Sequence, residues 1–293
     1  MKTNRLVILG VGLIGGSLAK ALKRVGFCDH IVGYGRNEIN LKKAIELGVI
    51  DEYKLDAKEA VTDADIIVMA TPLASNRSLF EKIMPAIKQG AIITDVGSAK
   101  SSVVEDAKKE LGELFPYFVP GHPIAGKEKS GVEAATETLF EKHTVILTPL
   151  AETSVHALAK VTEMWELTGA EVINLAVEHH DEVLAATSHL PHMLAYALVD
   201  CLAKMQESEE IFSFAAGGFI DFTRIASSNP KMWHDICFSN KKSLLTVLDQ
   251  FEGHMQEIRE AIEKDESDKI LQIFSRAKNA RDKLIEDRKL PNE

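Results

Sequence analysis

Over the first 175 residues, apolar positions fall in short runs separated by amphipathic stretches. The runs Leu6–Leu9, Ile31–Tyr34, Ile66–Ala70, Ile92–Asp95, Phe118–Pro120, Val145–Thr148 and Val172–Asn174 are rich in β-branched residues and too short for helices. Successive rather than alternating apolar positions predict strands covered on both faces, as in a parallel sheet. Between them, segments such as Ser17–Val25 and Ser78–Ile87 carry apolar residues at helical spacing. Strands alternating with helices through short connections predict a doubly wound α/β sheet.

After Asn174 the pattern changes. From Val177 to Met205 the chain is apolar around most of a helix, with Val183, Ala186, Leu190, Met193, Ala197, Cys201 and Met205 on one stripe. Such a helix is expected to be buried on several sides. From Lys241 onward, Leu244, Leu248, Phe251, Met255, Ile258 and Ile262 recur at heptad-like spacing. That seam fits either a helix packed on its own domain or a dimer contact. The last stretch is charge-dense and reads as a solvated helix and tail. The expected division is a sheet domain over residues 1–174 and an all-α domain over residues 175–293.

Composition narrows the partners. The 293 residues carry 34 Lys and Arg against 44 Asp and Glu, a formal charge of −10. An acidic chain without a basic cluster does not suit nucleic acid, whose phosphates must be neutralised. No apolar run approaches the ~18 residues of a membrane span. Cys28, Cys201 and Cys237 are scattered and odd in number, which suits a reducing, cytoplasmic setting without a disulfide framework. Lys2, Arg5, the apolar run to Gly16 and Ser17-Leu18-Ala19 imitate a short secretion signal. The strand–helix pattern that this run opens favours a structural role for it instead.

The run Gly10-Val11-Gly12-Leu13-Ile14-Gly15 fits G-x-G-x-x-G, and it follows a predicted strand and opens a predicted helix. In that context the string predicts a Rossmann dinucleotide site. Gly10 allows the tight turn, Gly12 a close approach to pyrophosphate, and Gly15 close helix–strand packing. The helix N-terminus adds free N–H groups. Thr71 and Pro72, just past Ile66–Ala70, join Leu13 and Ile14 as cofactor candidates. At the end of the second strand, where NAD-binding chains place an acidic residue, stand Gly35 and Arg36. Arg36 can meet a 2′-phosphate, stack on adenine, or lie in a solvated loop.

Four further segments carry chemistry. Asp95-Val96-Gly97-Ser98-Ala99-Lys100 and Gly121-His122-Pro123-Ile124-Ala125-Gly126 follow predicted strands at the sheet edge where ligands bind. His122, read as lying on a short loop, is a general-base candidate because imidazole accepts a proton near neutral pH. Ser188-His189-Leu190-Pro191-His192 interrupts the long helix, with two histidines on one side. These suit polar contacts to a ligand or a satisfied core. Without an evident third ligand they are not read as a metal site. His179 and His180 precede Asp181 and read as a helix start. Arg224, after Gly217-Gly218-Phe219-Ile220-Asp221-Phe222-Thr223, suits carboxylate recognition or an ion pair with Asp221. Ser228-Asn229-Pro230 caps the next helix, and Trp233 can wall a pocket.

Taken in order, Gly10–Ser17, Asp95–Lys100, Gly121–Gly126, Ser188–His192 and Gly217–Arg224 with Trp233 resemble the prephenate dehydrogenases, the cyclohexadienyl and arogenate dehydrogenases included. The resemblance spans nearly the whole chain. It implies a Rossmann domain, a helical dimerisation domain, a homodimer, and NAD(P)+-dependent oxidation of prephenate or arogenate with release of carbon dioxide in tyrosine biosynthesis. It further implies that His122 is catalytic, with Ser98 near the nicotinamide and His192 in the catalytic network or on the substrate. Arg224 then holds a substrate carboxylate, and His189, Gly217 and Trp233 line the pocket. Ile220 departs from relatives with a basic residue there. With no room for an appended regulatory or mutase domain, any feedback by tyrosine would have to act at the active site. Other two-domain dehydrogenases, such as 3-hydroxyacid dehydrogenases or imine reductases, and a dinucleotide-sensing protein without turnover stay open at this point.

Overall fold

A computed structural model describes residues 3–127 and 129–288. The chain begins β1 (Thr3–Leu9), α1 (Leu13–Arg24), β2 (Cys28–Tyr34), α2 (Glu38–Glu46), β3 (Glu52–Lys54), α3 (Ala57–Val61) and β4 (Ile66–Met69). It continues α4 (Asn76–Ile83), β5 (Ile92–Asp95), α5 (Ser101–Glu110) and β6 (Phe118–Val119). These strands form one parallel sheet in the order β3-β2-β1-β4-β5-β6. The order reverses direction between β1 and β4, so a crevice opens at their C-terminal ends.

The two faces of β1 explain its unbroken apolar run. Leu6 and Ile8 join one core with Leu18, Leu22, Phe140 and Trp165. Val7 and Leu9 join the other with Phe80, Ile83, Val103 and Phe118. Alternate side chains leave opposite faces, and helices cover both.

The seven predicted strands do not share one sheet. A second, three-stranded sheet is built from β7 (Gly121–Pro123), β8 (Thr144–Leu147) and, after α6 (Val155–Glu166), β9 (Glu171–Asn174). Pro120 marks the switch: it cannot donate to a ladder, and its carbonyl instead accepts from Thr148 N–H at 2.9 Å. His122 therefore sits on a strand, opposite Ile146, rather than on a loop. A Gly-His-Pro strand has no apolar signature, because β8 holds it rather than its own side chains. The edge strand β3, Glu-Tyr-Lys, was illegible for the same reason.

The helical part comprises α7 (Val177–Leu184), α8 (Leu190–Ala203), α9 (Ser208–Ser213), α10 (Gly217–Thr223), α11 (Pro230–Ser239), α12 (Lys241–Glu263) and α13 (Ser267–Arg288). A π-helical turn, Ala185–His189, joins α7 to α8, so the helix is widened rather than broken at the Ser188–His192 segment. Pro191 has no N–H for the regular ladder, a sufficient cause of the local change. Within the single chain, α8 is not buried on several sides: only Leu190 and Ala195 are, while Ala197, Cys201 and Met205 are exposed. By packing, the described residues up to Leu244 form one compact unit and those from Leu245 a second. In the second, Ala261 is buried and Lys269 pairs with Glu257 at 3.6 Å. No helix among the described residues is long and apolar enough to cross a membrane.

The glycine turn separates packing from binding. Gly10 has φ 105°, and a Cβ there would strike the Ala70 carbonyl. A Cβ at Gly15 would strike the Gly10 carbonyl and the Ile8 side chain, whereas one at Gly12 would meet nothing within 4 Å. Gly15→Val should thus cost about 1–3 kcal/mol by overpacking, read as a fall in Tm of several degrees. Gly12→Ala should leave Tm within a degree or two and weaken dinucleotide binding, measured by fluorescence titration. Equal effects of the two variants on Tm would refute this division.

Candidate active site

The cofactor cradle forms where β1 meets α1. Gly10 N–H donates to the Tyr34 carbonyl at 2.8 Å, which ties the turn to the end of β2. The open side of Gly12 faces a cleft of about 600 Å³. Arg36, Asn37, Asn40, Thr71, Pro72, Ser78 and Lys82 are among the residues that line it. A second cleft of about 390 Å³ shares Gly12, Thr71 and Pro72 and reaches Leu13, Ile14 and Ser98. Free N–H groups at the start of α1, an uncrowded Gly12 and two adjoining clefts fit a bound dinucleotide. Leu41 lies at 3.5 Å from where a Gly35 Cβ would sit, an ordinary contact, so the missing acidic side chain is not excluded sterically.

Beside the cradle lies a buried polar chain. Asp95, at the end of β5, accepts from Gly97 N–H at 2.8 Å and from Gly121 N–H at 3.1 Å. The same carboxylate thus fixes the turn that carries Ser98 and the strand that carries His122. His122 Nδ1 lies 2.9 Å from His180 Nε2, and His180 Nδ1 lies 2.9 Å from Asp181 Oδ1. The network assigns the protons. An ionised Asp181 requires a hydrogen on His180 Nδ1, so His180 Nε2 accepts from His122 Nδ1–H. The lone pair of His122 Nε2 is then directed away from the chain, available to a ligand.

Burial sets the electrostatics. His122 is held well below its ordinary pKa, first by desolvation and then by the neighbouring His180, Lys100 and His189. His180 is lowered too, by burial against the opposing pull of Asp181. Burial works to raise Asp181, yet hydrogen bonds from His180, Ser101 and the backbone of Lys100 and Ser101 keep its carboxyl below the usual range. An ionised carboxylate beside neutral imidazoles makes a base ready near pH 7.

The histidines on the widened helix complete the wall. His189 is fully buried and pushed down to about 4 by desolvation. Its Nδ1 lies 3.1 Å from Asn240 Nδ2, which also donates to the Asp181 carbonyl at 2.7 Å. Its Nε2 faces the Ser98 backbone without a hydrogen bond of full geometry. His192 donates to the Ser188 carbonyl at 2.9 Å and stacks on Trp233 with centroids 3.6 Å apart. Burial lowers His192, and the Arg224 charge lowers it further, which puts the guanidinium within electrostatic reach. Asn229 caps α11 by accepting from Met232 N–H at 3.1 Å.

Sequence reasoning thus located His122, Ser98, His189, His192, Arg224 and Trp233 in one neighbourhood. Gly217 opens α10 and lines neither cleft. Four participants were missed: His180, Asp181, Asn240 and Lys100. His180 and Asp181 are not merely a helix start. They share the core-facing side of α7 with Val177 and Leu184. That was the available signal, since a charged residue on an apolar stripe must be paired.

Known proteins give the same answer from outside. Residues 18–174 match the family profile "prephenate dehydrogenase, nucleotide-binding domain", and residues 176–276 match "prephenate dehydrogenase, dimerization domain". The cyclohexadienyl dehydrogenase of Zymomonas mobilis is 36% identical over 280 residues, covering 94% of each chain. The prephenate dehydrogenase of Bacillus subtilis is 37% identical over 95% of this chain and 76% of its own. Among solved structures, the A. aeolicus prephenate dehydrogenase in complex with hydroxyphenyl propionate and NAD+ superposes with a TM-score of 0.90. It is 37% identical and covers 97% of this chain and 99% of its own. On this evidence the chain belongs to the prephenate dehydrogenase family of NAD(P)+-dependent oxidoreductases.

Proposed function

We propose that this chain oxidises prephenate to 4-hydroxyphenylpyruvate with release of carbon dioxide in tyrosine biosynthesis, and that it accepts arogenate as an alternative substrate. The observation that carries this reading is the chain His122–His180–Asp181, anchored through Asp95 to the turn of Ser98. Bound NAD+ supplies the hydride acceptor. His122 Nε2 takes the proton of the ring hydroxyl as hydride leaves the same carbon. The imidazolium so formed is steadied by the His180–Asp181 pair behind it. Loss of the para carboxylate as carbon dioxide returns its bonding electrons to the ring, which becomes aromatic, the proton held by His122 goes back to the ring oxygen, and the step is strongly downhill. Arg224 binds a substrate carboxylate, and Trp233 with His192 closes the pocket wall. Gly217 is assigned to the same pocket by resemblance alone.

We read the working enzyme as a cytoplasmic homodimer, divided after Asn174 into cofactor and helical parts. The exposed apolar positions of α8 and the half-exposed seam on α12, where Met255 is 49% and Ile262 63% exposed, favour a second copy as their cover.

A steady-state assay of prephenate and arogenate, each with NAD+ and NADP+, tests the proposal. Turnover of prephenate with NAD+ is expected, and reduction of neither cofactor with either substrate overturns it. His122→Asn should lower kcat by roughly 10²–10⁴ with little change in KM. Because His122 titrates below the ordinary 6.5, kcat/KM should stay level down to that pH and fall only below it, as the base is protonated. A variant kcat within threefold of wild type would dismiss this base.

Arg224→Gln should raise KM for substrate about 10- to 100-fold, the worth of a charged hydrogen bond of about 1.5–3 kcal/mol, while the Kd for NAD+ barely moves. An equal weakening of cofactor would show the assignment to be wrong. For the cofactor, Arg36 lines the cleft beside Gly35, where NAD-binding chains carry an acidic side chain. NADP+ should therefore be no more than about tenfold less efficient than NAD+. Arg36→Ala should lose NADP+ efficiency selectively if Arg36 meets the 2′-phosphate. Equal losses would mean stacking on adenine.

A further inference from the structure

Lys100 is the one group near the base whose chemistry the reaction does not use. It is fully buried, as is its partner Asp95. Its Nζ donates to Asp95 Oδ2 at 2.5 Å and to the Gly121 carbonyl at 2.7 Å. Asp95 Oδ1 in turn accepts from the Gly121 N–H at 3.1 Å. Both backbone polar groups of the residue before His122 are thus held by the two ends of one ion pair. The other oxygen of Asp95 also holds Gly97 N–H at 2.8 Å, one residue before Ser98. The main chain of Lys100 reaches the opposite side of the base: its N–H donates to Asp181 Oδ1 at 2.8 Å.

Stability alone is a weak reason for this arrangement. A buried ion pair carries a large desolvation cost, and apolar residues of the same shape often serve a fold as well or better. What an apolar pair cannot do is grip the N–H and the carbonyl of one residue, and so two successive peptide units, at the same time. We propose that Lys100 is a positioning residue: its buried ammonium, with Asp95, sets the strand that carries His122 and the turn that carries Ser98. This inference rests on His122 being the base.

The ammonium has a second consequence. The groups facing His122 are His180 and Asp181 from α7, His189 from the π-helical turn, Asp95 from β5 and Lys100 from the start of α5. Burial pulls the Lys100 pKa down, but its ion pair with Asp95 favours the charged form, and a positive charge there disfavours a second one on the imidazole. Removing it should make His122 easier to protonate.

Two variants and two readouts separate positioning from mere support. Lys100→Met removes the cation but leaves Asp95 buried and alone. Lys100→Met with Asp95→Asn removes both charges, so that no orphaned ion threatens the fold. In the double variant, kcat with prephenate should fall at least tenfold, while KM and the Kd for NAD+ stay within threefold. In Lys100→Met, the His122 titration followed by NMR in the cofactor-free protein should move to higher pH, and the acid limb of kcat/KM should move with it. If Lys100→Met does not fold, the split between kcat and KM in the double variant decides the question. A folded double variant with kcat within threefold of wild type overturns the proposal. So does a loss shared equally by kcat and cofactor affinity, or an unmoved His122 titration in folded Lys100→Met. Failure of the wider reading looks different: the wild-type enzyme would not turn over prephenate, or His122→Asn would be as active as wild type.

Discussion

The Asp181 carboxylate is the constraint on which the site depends. One oxygen accepts from Lys100 N–H and from His180, and the other from Ser101 N–H, at 2.8 Å, 2.9 Å and 2.8 Å respectively. Two of these donors are orphan groups at the start of α5, whose partial positive charge suits an anion. The third is the imidazole behind the base. A single buried charge from α7 thereby caps a helix of the sheet domain and fixes the tautomer of His180, and through it that of His122. It also holds the two structural layers in register: the Asp181 carbonyl accepts from Asn240, which lies against His189. A neutral residue at this position could supply the shape, but not the three charge-assisted bonds that make the arrangement unique.

The legible part of the structure was the part encoded by apolar pattern. β1, β2, β4 and β5 announce themselves because both of their faces are covered, and the glycine turn because backbone conformation and close contact at Gly10 and Gly15 leave little choice of residue. The strand under His122 was not legible, since Gly-His-Pro has no β preference and is held by Asp95, Lys100 and β8 from elsewhere in the chain. Long-range polar grips of this kind have no periodicity. The same limit hid the partners of the base. His122 was visible by its place after a strand, whereas His180 lies 58 residues away and becomes its neighbour only through the packing of α7. The surroundings of α8 were misjudged for the converse reason. An all-round apolar helix asks for cover, but the pattern does not say whether the same chain provides it.

The chain as a whole is acidic, with a formal charge of −10, while the expected substrate carries two carboxylates. Its site meets that conflict in two ways, by neutralising the acidic groups around the base and by lining the adjoining cleft with Lys127, Lys129 and Lys231. The acidic groups near the base, Asp95 and Asp181, are consumed by Lys100, by backbone N–H groups and by His180. Four imidazoles, those of His122, His180, His189 and His192, are lowered by burial and contribute no positive charge of their own at neutral pH. Arg224 is a cation whose field is felt at His192 on the wall of the pocket.

This arrangement also times the base. In the free chain His122 is a weak proton acceptor, because desolvation and the facing Lys100 disfavour its charged form. An anionic substrate brings negative charge towards that imidazole and excludes water, which strengthens every remaining electrostatic interaction. Attraction of that kind raises the proton affinity of a nearby base. On the proposed role, His122 would gain basicity when substrate arrives, with the His180–Asp181 pair already in place to receive the charge. Holding the base low in the empty site keeps it unprotonated and ready at neutral pH. On that proposal the substrate's own charge would add to the driving force for proton transfer.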